Sequence, residues 1–228
     1  MPSARKAESS GPDESSGLEH DNAIRSPAAV AVFLTVAAVG LAADLLSKHF
    51  VFKSMLSDTA LSARVERIGA ELGRSPTTEE VLHAPPRVSR RICPGVRFTL
   101  STNKGVVFGL AMNRALVAVA TGVTILLVGF FFATSPGRAR SVHLALALIL
   151  AGALGNLYDR LFSEVALPGR EPICRQVRDF IDLSELGYVW IFNVADVWLV
   201  VGVVLLVVHW LLVRRETAAG EESARGRK

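Results

Sequence analysis

Apolar positions along this chain gather into four long blocks, and charged positions fall in the stretches between them. Residues 28–46, 115–133, 142–157 and 191–213 are nearly free of charge except near their ends. A helix that crosses about 30 Å of hydrocarbon needs roughly 20 such residues. The first, second and fourth blocks reach or approach that length, and the third does once Tyr158 and its neighbours are included. The pattern predicts an α-helical integral membrane protein with four transmembrane helices, at about 28–48, 113–133, 142–160 and 191–213.

The connections carry their own signals. Inserts 53–102 and 161–190 face the same side of the membrane, because they follow the first and third spans. In the first insert, residues 63–72 read as helix and Gly73 suits a C-terminal cap. Thr77-Thr78-Glu79-Glu80 has capping-box spacing for a second, short helix. The stretch between them is somewhat like a helix-turn-helix, but so short a second helix favours a small external insert. After Pro94-Gly95, the residues Val96, Phe98 and Leu100 alternate with polar ones, as a half-buried strand would. A second strand signal covers 177–183, so a small β element is expected beside the helical insert. Residues 1–27, rich in Ser, Glu and Gly, read as a disordered polar tail. The four-span domain then covers 28–213, and a basic cytoplasmic tail covers 214–228. The first block lies behind that tail and is long for a signal core, so it reads as an anchor. An even number of spans puts both termini on one side. Lys and Arg are nearly balanced between the two sides, and the 135–141 loop, with two arginines and no acid, only leans towards the cytoplasm for the termini, which would put the inserts outside.

Composition changes this picture little. Half of the 228 residues are apolar, 20% are charged, and the net charge is +4. Basic residues flanking membrane spans account for that charge, and no basic stripe interleaved with aromatics points to nucleic acid. The histidines and cysteines offer no metal-ligand cluster, and no cofactor is expected. Cys93 and Cys174 fall in the two outward inserts, where an oxidising compartment would allow a disulfide between them.

The candidate chemistry lies where polar residues meet span ends. Asp44 and Lys48 share one helix face at a spacing of four, with the acid first, and read as a structural ion pair. Asn103-Lys104-Gly105 marks a turn where the chain re-enters the membrane; there Asn103 could present its amide to a bound peptide, and Gly105 permits close approach. Gly152 and Gly155 let a neighbouring helix come close. Asn156, Asp159 and Arg160 share a face at the end of the third span, where Arg160 is expected to neutralise Asp159. Asn193 and Asp196 open the fourth span. Asp179 sits on its strand between Arg178 and Phe180, whose side chains point to the other face. Asp182 is expected to point to solvent. Asp196 has no adjacent basic residue and Asp179 shares no strand face with Arg178, so these two acids, brought together, can share a proton and activate water.

In this order the fragments resemble the lipoprotein signal peptidase family, signal peptidase II. The resemblance rests on Asp44 with Lys48, Asn103-Lys104-Gly105, Gly155-Asn156 with Asp159-Arg160, Asp179-Phe180-Ile181, and Phe192-Asn193 with Ala195-Asp196. It implies a four-helix aspartic membrane endopeptidase of the bacterial cytoplasmic (inner) membrane, acting as a monomer with its site on the extracytoplasmic side. The implied substrate is a prolipoprotein carrying diacylglyceryl-cysteine, cleaved on the amino side of that cysteine, with membrane lipid as the other partner. The implied catalytic pair is Asp179 and Asp196. Asn103, Gly105, Asn156, Asp159, Arg160 and Asn193 would position the substrate or hold the aspartates, and Asp44 with Lys48 would brace the site. Departures from the family pattern are the longer inserts, Arg178 before Asp179, and Val106-Val107 after the turn. Two other classes remain open on the residues alone. One is a small ion- or proton-coupled transporter, since intramembrane carboxylates also line permeation paths. The other is a catalytically silent lipopeptide-binding membrane protein.

Overall fold

The computed structural model describes residues 22–107, 110–111 and 114–225. Four long helices carry the apolar blocks: α1 (Pro27–Leu56), α4 (Arg114–Thr134), α5 (Arg140–Phe162) and α6 (Val194–Arg225). All four are long and apolar enough to cross a membrane. Ser26 caps α1 by accepting the Ala29 N–H, and Pro27 stands at the first helical position, where its missing N–H costs nothing.

The first span is longer than its apolar block suggested. At 1.5 Å per residue, α1 extends about 45 Å, well beyond the hydrocarbon. No breaker follows Lys48, and Phe52 and Met55 carry the helix on into a second core with Leu100 and Phe180. The bundle core proper packs Phe33, Ala37, Val128, Phe132 and Leu146. The central helix is α5, the most buried of the four. It touches α6 at glycines. A Cβ on Gly152 would lie 2.4 Å from the Ala195 carbonyl, and one on Gly202 would lie 2.7 Å from that of Ala145. Only a missing side chain allows such an approach.

Between the spans, four strands form an antiparallel sheet in the order β1 (Ser89–Cys93), β2 (Val96–Asn103), β7 (Val177–Asp182), β8 (Ile191–Phe192). Ser101 of β2 is registered against Asp179 of β7. The insert folds as the predicted helical pair, α2 (Thr59–Leu72) and α3 (Thr78–His83). Thr77 and Glu80 form the reciprocal capping box. Small hairpins β3–β4 (Val106–Val107, Leu110–Ala111) and β5–β6 (Glu164–Val165, Ile173–Cys174) complete the connections.

Two expectations need correction, and the open question of a disulfide is answered. The expected tail of 1–27 ends earlier than its composition implied. The Ala23 N–H donates to the Ser135 carbonyl at 2.8 Å, Asn22 bridges Pro136, and Ala23 is fully buried, because this stretch packs on the α4–α5 loop. Residues 1–21 lie outside the described residues. Asp182 is buried instead of solvated, since β7 is covered on both faces. It accepts Thr99 Oγ1 at 2.6 Å and the Ser184 N–H at 2.9 Å. Burial raises its pKa, but those hydrogen bonds and nearby Arg97 outweigh that and hold it below the usual carboxylate range. The cysteines form no bridge: Cys93 and Cys174 are both free and exposed.

Candidate active site

Asp196 enters through the start of α6. Asn193 is the residue before the helix, and the two side chains cap each other's backbone. Asn193 Oδ1 accepts the Asp196 N–H at 3.1 Å, and Asp196 Oδ2 accepts the Asn193 N–H at 3.2 Å. This is a capping box built from Asn and Asp, and it fixes a carboxylate at the positive end of a long helix.

Asp179 arrives from β7. Its residue is only 4% exposed, and Asn193 Nδ2 donates to its Oδ1 at 2.6 Å. One asparagine thus touches both acids. Its partner Asn156, on α5, donates Nδ2 to Asp196 Oδ1 at 2.8 Å. Asn156 Oδ1 in turn accepts from Asn193 Nδ2 at 3.1 Å and from Lys48 Nζ at 3.1 Å. Burial pushes the Asp179 carboxyl up to about 8, with the nearby charge of Asp196 adding to the rise.

Beneath the pair lies a buried charge network. Lys48 Nζ meets Asp44 Oδ2 at 2.7 Å and Asp159 Oδ2 at 3.3 Å, with all three side chains fully buried. Asp44 Oδ1 also accepts the Ala195 N–H at 2.8 Å, which ties α1 to the α6 start. A Cβ on Gly155 would lie 2.3 Å from Asp44 Oδ2, so glycine there leaves room for the carboxylate.

Arg160 does not neutralise Asp159 as expected. Its guanidinium bonds the Asn156 carbonyl at 3.2 Å and faces Asp196, Asp179 and Asp159 together. Asp159 is held instead by Arg178, through Nη2 at 2.6 Å, Nε at 3.1 Å and the backbone N–H at 2.9 Å. The reason is direction: Arg160 turns back along its own helix, while Arg178 projects from β7 across to the end of α5. Sequence reasoning missed this role for Arg178. The available signal was its position on the strand face opposite Asp179.

Asn103 and Gly105 form the turn that the sequence marked. Asn103 Oδ1 accepts the Gly105 N–H at 2.8 Å, and Gly105 has φ 111°, which only glycine adopts without strain. Asn103 therefore closes its own turn, although it still borders the cleft beside Asp179.

A sequence profile of the family described as Signal peptidase (SPase) II matches residues 36–212. The chain belongs to the signal peptidase II family. Relatives named lipoprotein signal peptidase include one from Mycobacterium leprae, 31% identical over 84% of this chain and 77% of its own length. Another, from Aquifex aeolicus, is 36% identical over 54% of this chain and 70% of its own length. Two solved structures, each described as a bacterial membrane enzyme, share the fold. One has a TM-score of 0.56 at 20% identity, covering 85% of this chain and 98% of its own. The other has a TM-score of 0.54 at 22% identity, covering 80% and 88%. This signal peptidase II member is therefore a peptidase and a multi-pass membrane protein, and the transporter alternative gains no support.

Proposed function

We propose that the protein is an aspartic endopeptidase that removes signal peptides from diacylglyceryl-modified prolipoproteins, cutting on the amino side of the lipidated cysteine. The observation that carries this reading is Asn193, whose side-chain Nδ2 donates to the Asp179 carboxyl while its backbone N–H donates to the Asp196 carboxyl, so that one residue joins the two acids. The names of the relatives support the substrate class. Residues 28–213 form the peptidase domain. The protein works as a monomer in the bacterial cytoplasmic membrane, with lipid around its spans and the aspartates towards the outer face. No metal or cofactor takes part in the proposed step.

The environments assign the two roles. Asp179, buried on its strand with a raised pKa, keeps its proton near neutral pH. Asp196 accepts N–H donors at a helix N-terminus and acts as the base. Asp196 removes a proton from a water held between the carboxyls, the water oxygen adds to the scissile carbonyl, and Asp179 gives its proton to the carbonyl oxygen. The tetrahedral intermediate collapses with cleavage of its C–N bond: the leaving amine of the cysteine takes the proton gathered by Asp196, and a hydroxyl of the intermediate returns its proton to Asp179 as the carbonyl re-forms. Arg160, facing the acids, limits the negative charge that builds up there. Asn156 and Asn193 hold the geometry, and Asp44, Lys48 and Asp159 form the frame beneath.

The purified protein in detergent–lipid micelles should cleave a prolipoprotein carrying diacylglyceryl-cysteine, with mass spectrometry locating the cut immediately before that cysteine. Equal cleavage of the unlipidated precursor would remove lipid recognition from the proposal, and absence of any cleavage would remove the proposal.

A pH profile follows from the raised carboxyl. The proton on Asp179 is present below about 8 and lost above it. Turnover should therefore fall as pH rises through about 8, by about tenfold per pH unit on the alkaline side. An acid raised in the folded state also binds its proton more tightly there than in the unfolded chain. That contribution to stability is complete below the ordinary carboxylate range and is lost as pH climbs to about 8. Turnover that stays flat from pH 7 to 10 would contradict the assignment of the proton to Asp179.

A further inference from the structure

The cleft that opens on Asp179 has about 400 Å³ of space, and one of its walls comes from the helical insert. Glu79 and His83 of α3, and Arg87 just after it, border the cleft together with Lys104 and Trp190. This wall is pinned in place. His83 Nε2 lies 3.1 Å from Thr102 Oγ1 on β2, and Thr78 Oγ1 donates to the Glu171 carbonyl at 2.7 Å. From the other side, Arg64 donates to the carbonyls of Val81 and Ala84. The insert is thus a fixed part of the cleft.

The charges on the wall do not cancel. Glu79 is paired with Lys104. His83 is held below its ordinary pKa by burial and by the neighbouring Arg87, which keeps it neutral at pH 7. Arg87 is exposed, and among the described residues no carboxylate pairs with it. The rim of the cleft therefore presents one uncompensated cation.

Topology says which part of a substrate meets it. A prolipoprotein held by its lipid at the membrane surface sends its signal segment into the bilayer and its exported residues outward, past the insert. We propose that Arg87 forms a subsite for an acidic side chain in the exported residues that immediately follow the lipidated cysteine. This inference rests on the cleavage reading above. A charge pair at a partly exposed site is worth little when attractive, but the difference between attraction and repulsion is larger.

The test uses three lipidated prolipoprotein peptides identical except for Asp, Ser or Lys directly after the cysteine, cleaved by the full-length protein in micelles. The wild type should show kcat/KM in the order Asp, Ser, Lys, with about tenfold between the first and last at low salt. Arg87→Lys should keep that order, Arg87→Ala should flatten it, and Arg87→Glu should reverse it. A merely structural arginine would lower all three values together and leave their ratio untouched. A wild-type ratio near one, or an unchanged ratio in Arg87→Glu, overturns the subsite while leaving the cleavage reading intact. Failure of the wild type to cleave any of the three overturns the cleavage reading and this subsite with it.

Discussion

Asp179→Asn and Asp196→Asn should each lower kcat by at least about a thousandfold, while both proteins still fold and insert. The two losses have different origins. In Asp179→Asn the amide cannot give up a proton to the carbonyl oxygen, yet it can still accept from Asn193 Nδ2 and so preserve the 2.6 Å contact. In Asp196→Asn the base is gone, although the capping of the Asn193 N–H can survive through the remaining oxygen. Because the pair acts as a unit, the double variant should be scarcely worse than either single one. The measurement is single-turnover cleavage of a lipidated prolipoprotein, with thermal unfolding in detergent to show that the fold is kept. Full activity in either variant would refute the proposed dyad. Loss in Asp159→Asn with activity kept in Asp179→Asn would shift the chemistry to the end of α5.

The second large effect is on stability. Lys48→Met removes the one positive charge that, among the described residues, touches Asp44, at 2.7 Å, and one of two cations on Asp159. All three groups are fully buried, so water cannot take over the lost role. Breaking a buried ion pair from one side costs about 3–5 kcal/mol, because an uncompensated charge stays inside. Removing both partners together is far milder. Thermal melting should therefore place Lys48→Met well below the wild type, with Lys48→Met/Asp44→Asn recovering much of the difference. Activity should fall as well, since Lys48 also steadies the Asn156 carbonyl oxygen whose amide holds Asp196. A loss under about 1 kcal/mol would mean that the network is hydrated or otherwise satisfied.

Much of this architecture is legible in the chain. Long charge-free blocks mark the spans because hydrocarbon rejects charge, and a capping residue such as Thr77 marks a helix start because backbone N–H groups need acceptors there. The Asp44–Lys48 pair follows from a spacing of four on one helix, and the Asn193–Asp196 cap from a spacing of three. Both are local, so sequence order alone brings the atoms together. The extension of α1 past Lys48 was less legible, since its outer residues are stabilised by a core drawn from Leu82, Leu100 and Phe180, far away in the chain.

What sequence by itself determined is the set of spans, the local pairs and the two acids with no basic side chain beside them on their own face. What the tertiary structure alone decided is who answers to whom across elements. Arg178, not the adjacent Arg160, neutralises Asp159; Asn193 joins Asp179 to Asp196; and the insert supplies Arg87 to the cleft. Hydrogen bonds and ion pairs act over about 3 Å. Partners separated by 14 or more residues meet only after helix, strand and insert have packed, and periodicity along one element carries no record of that meeting.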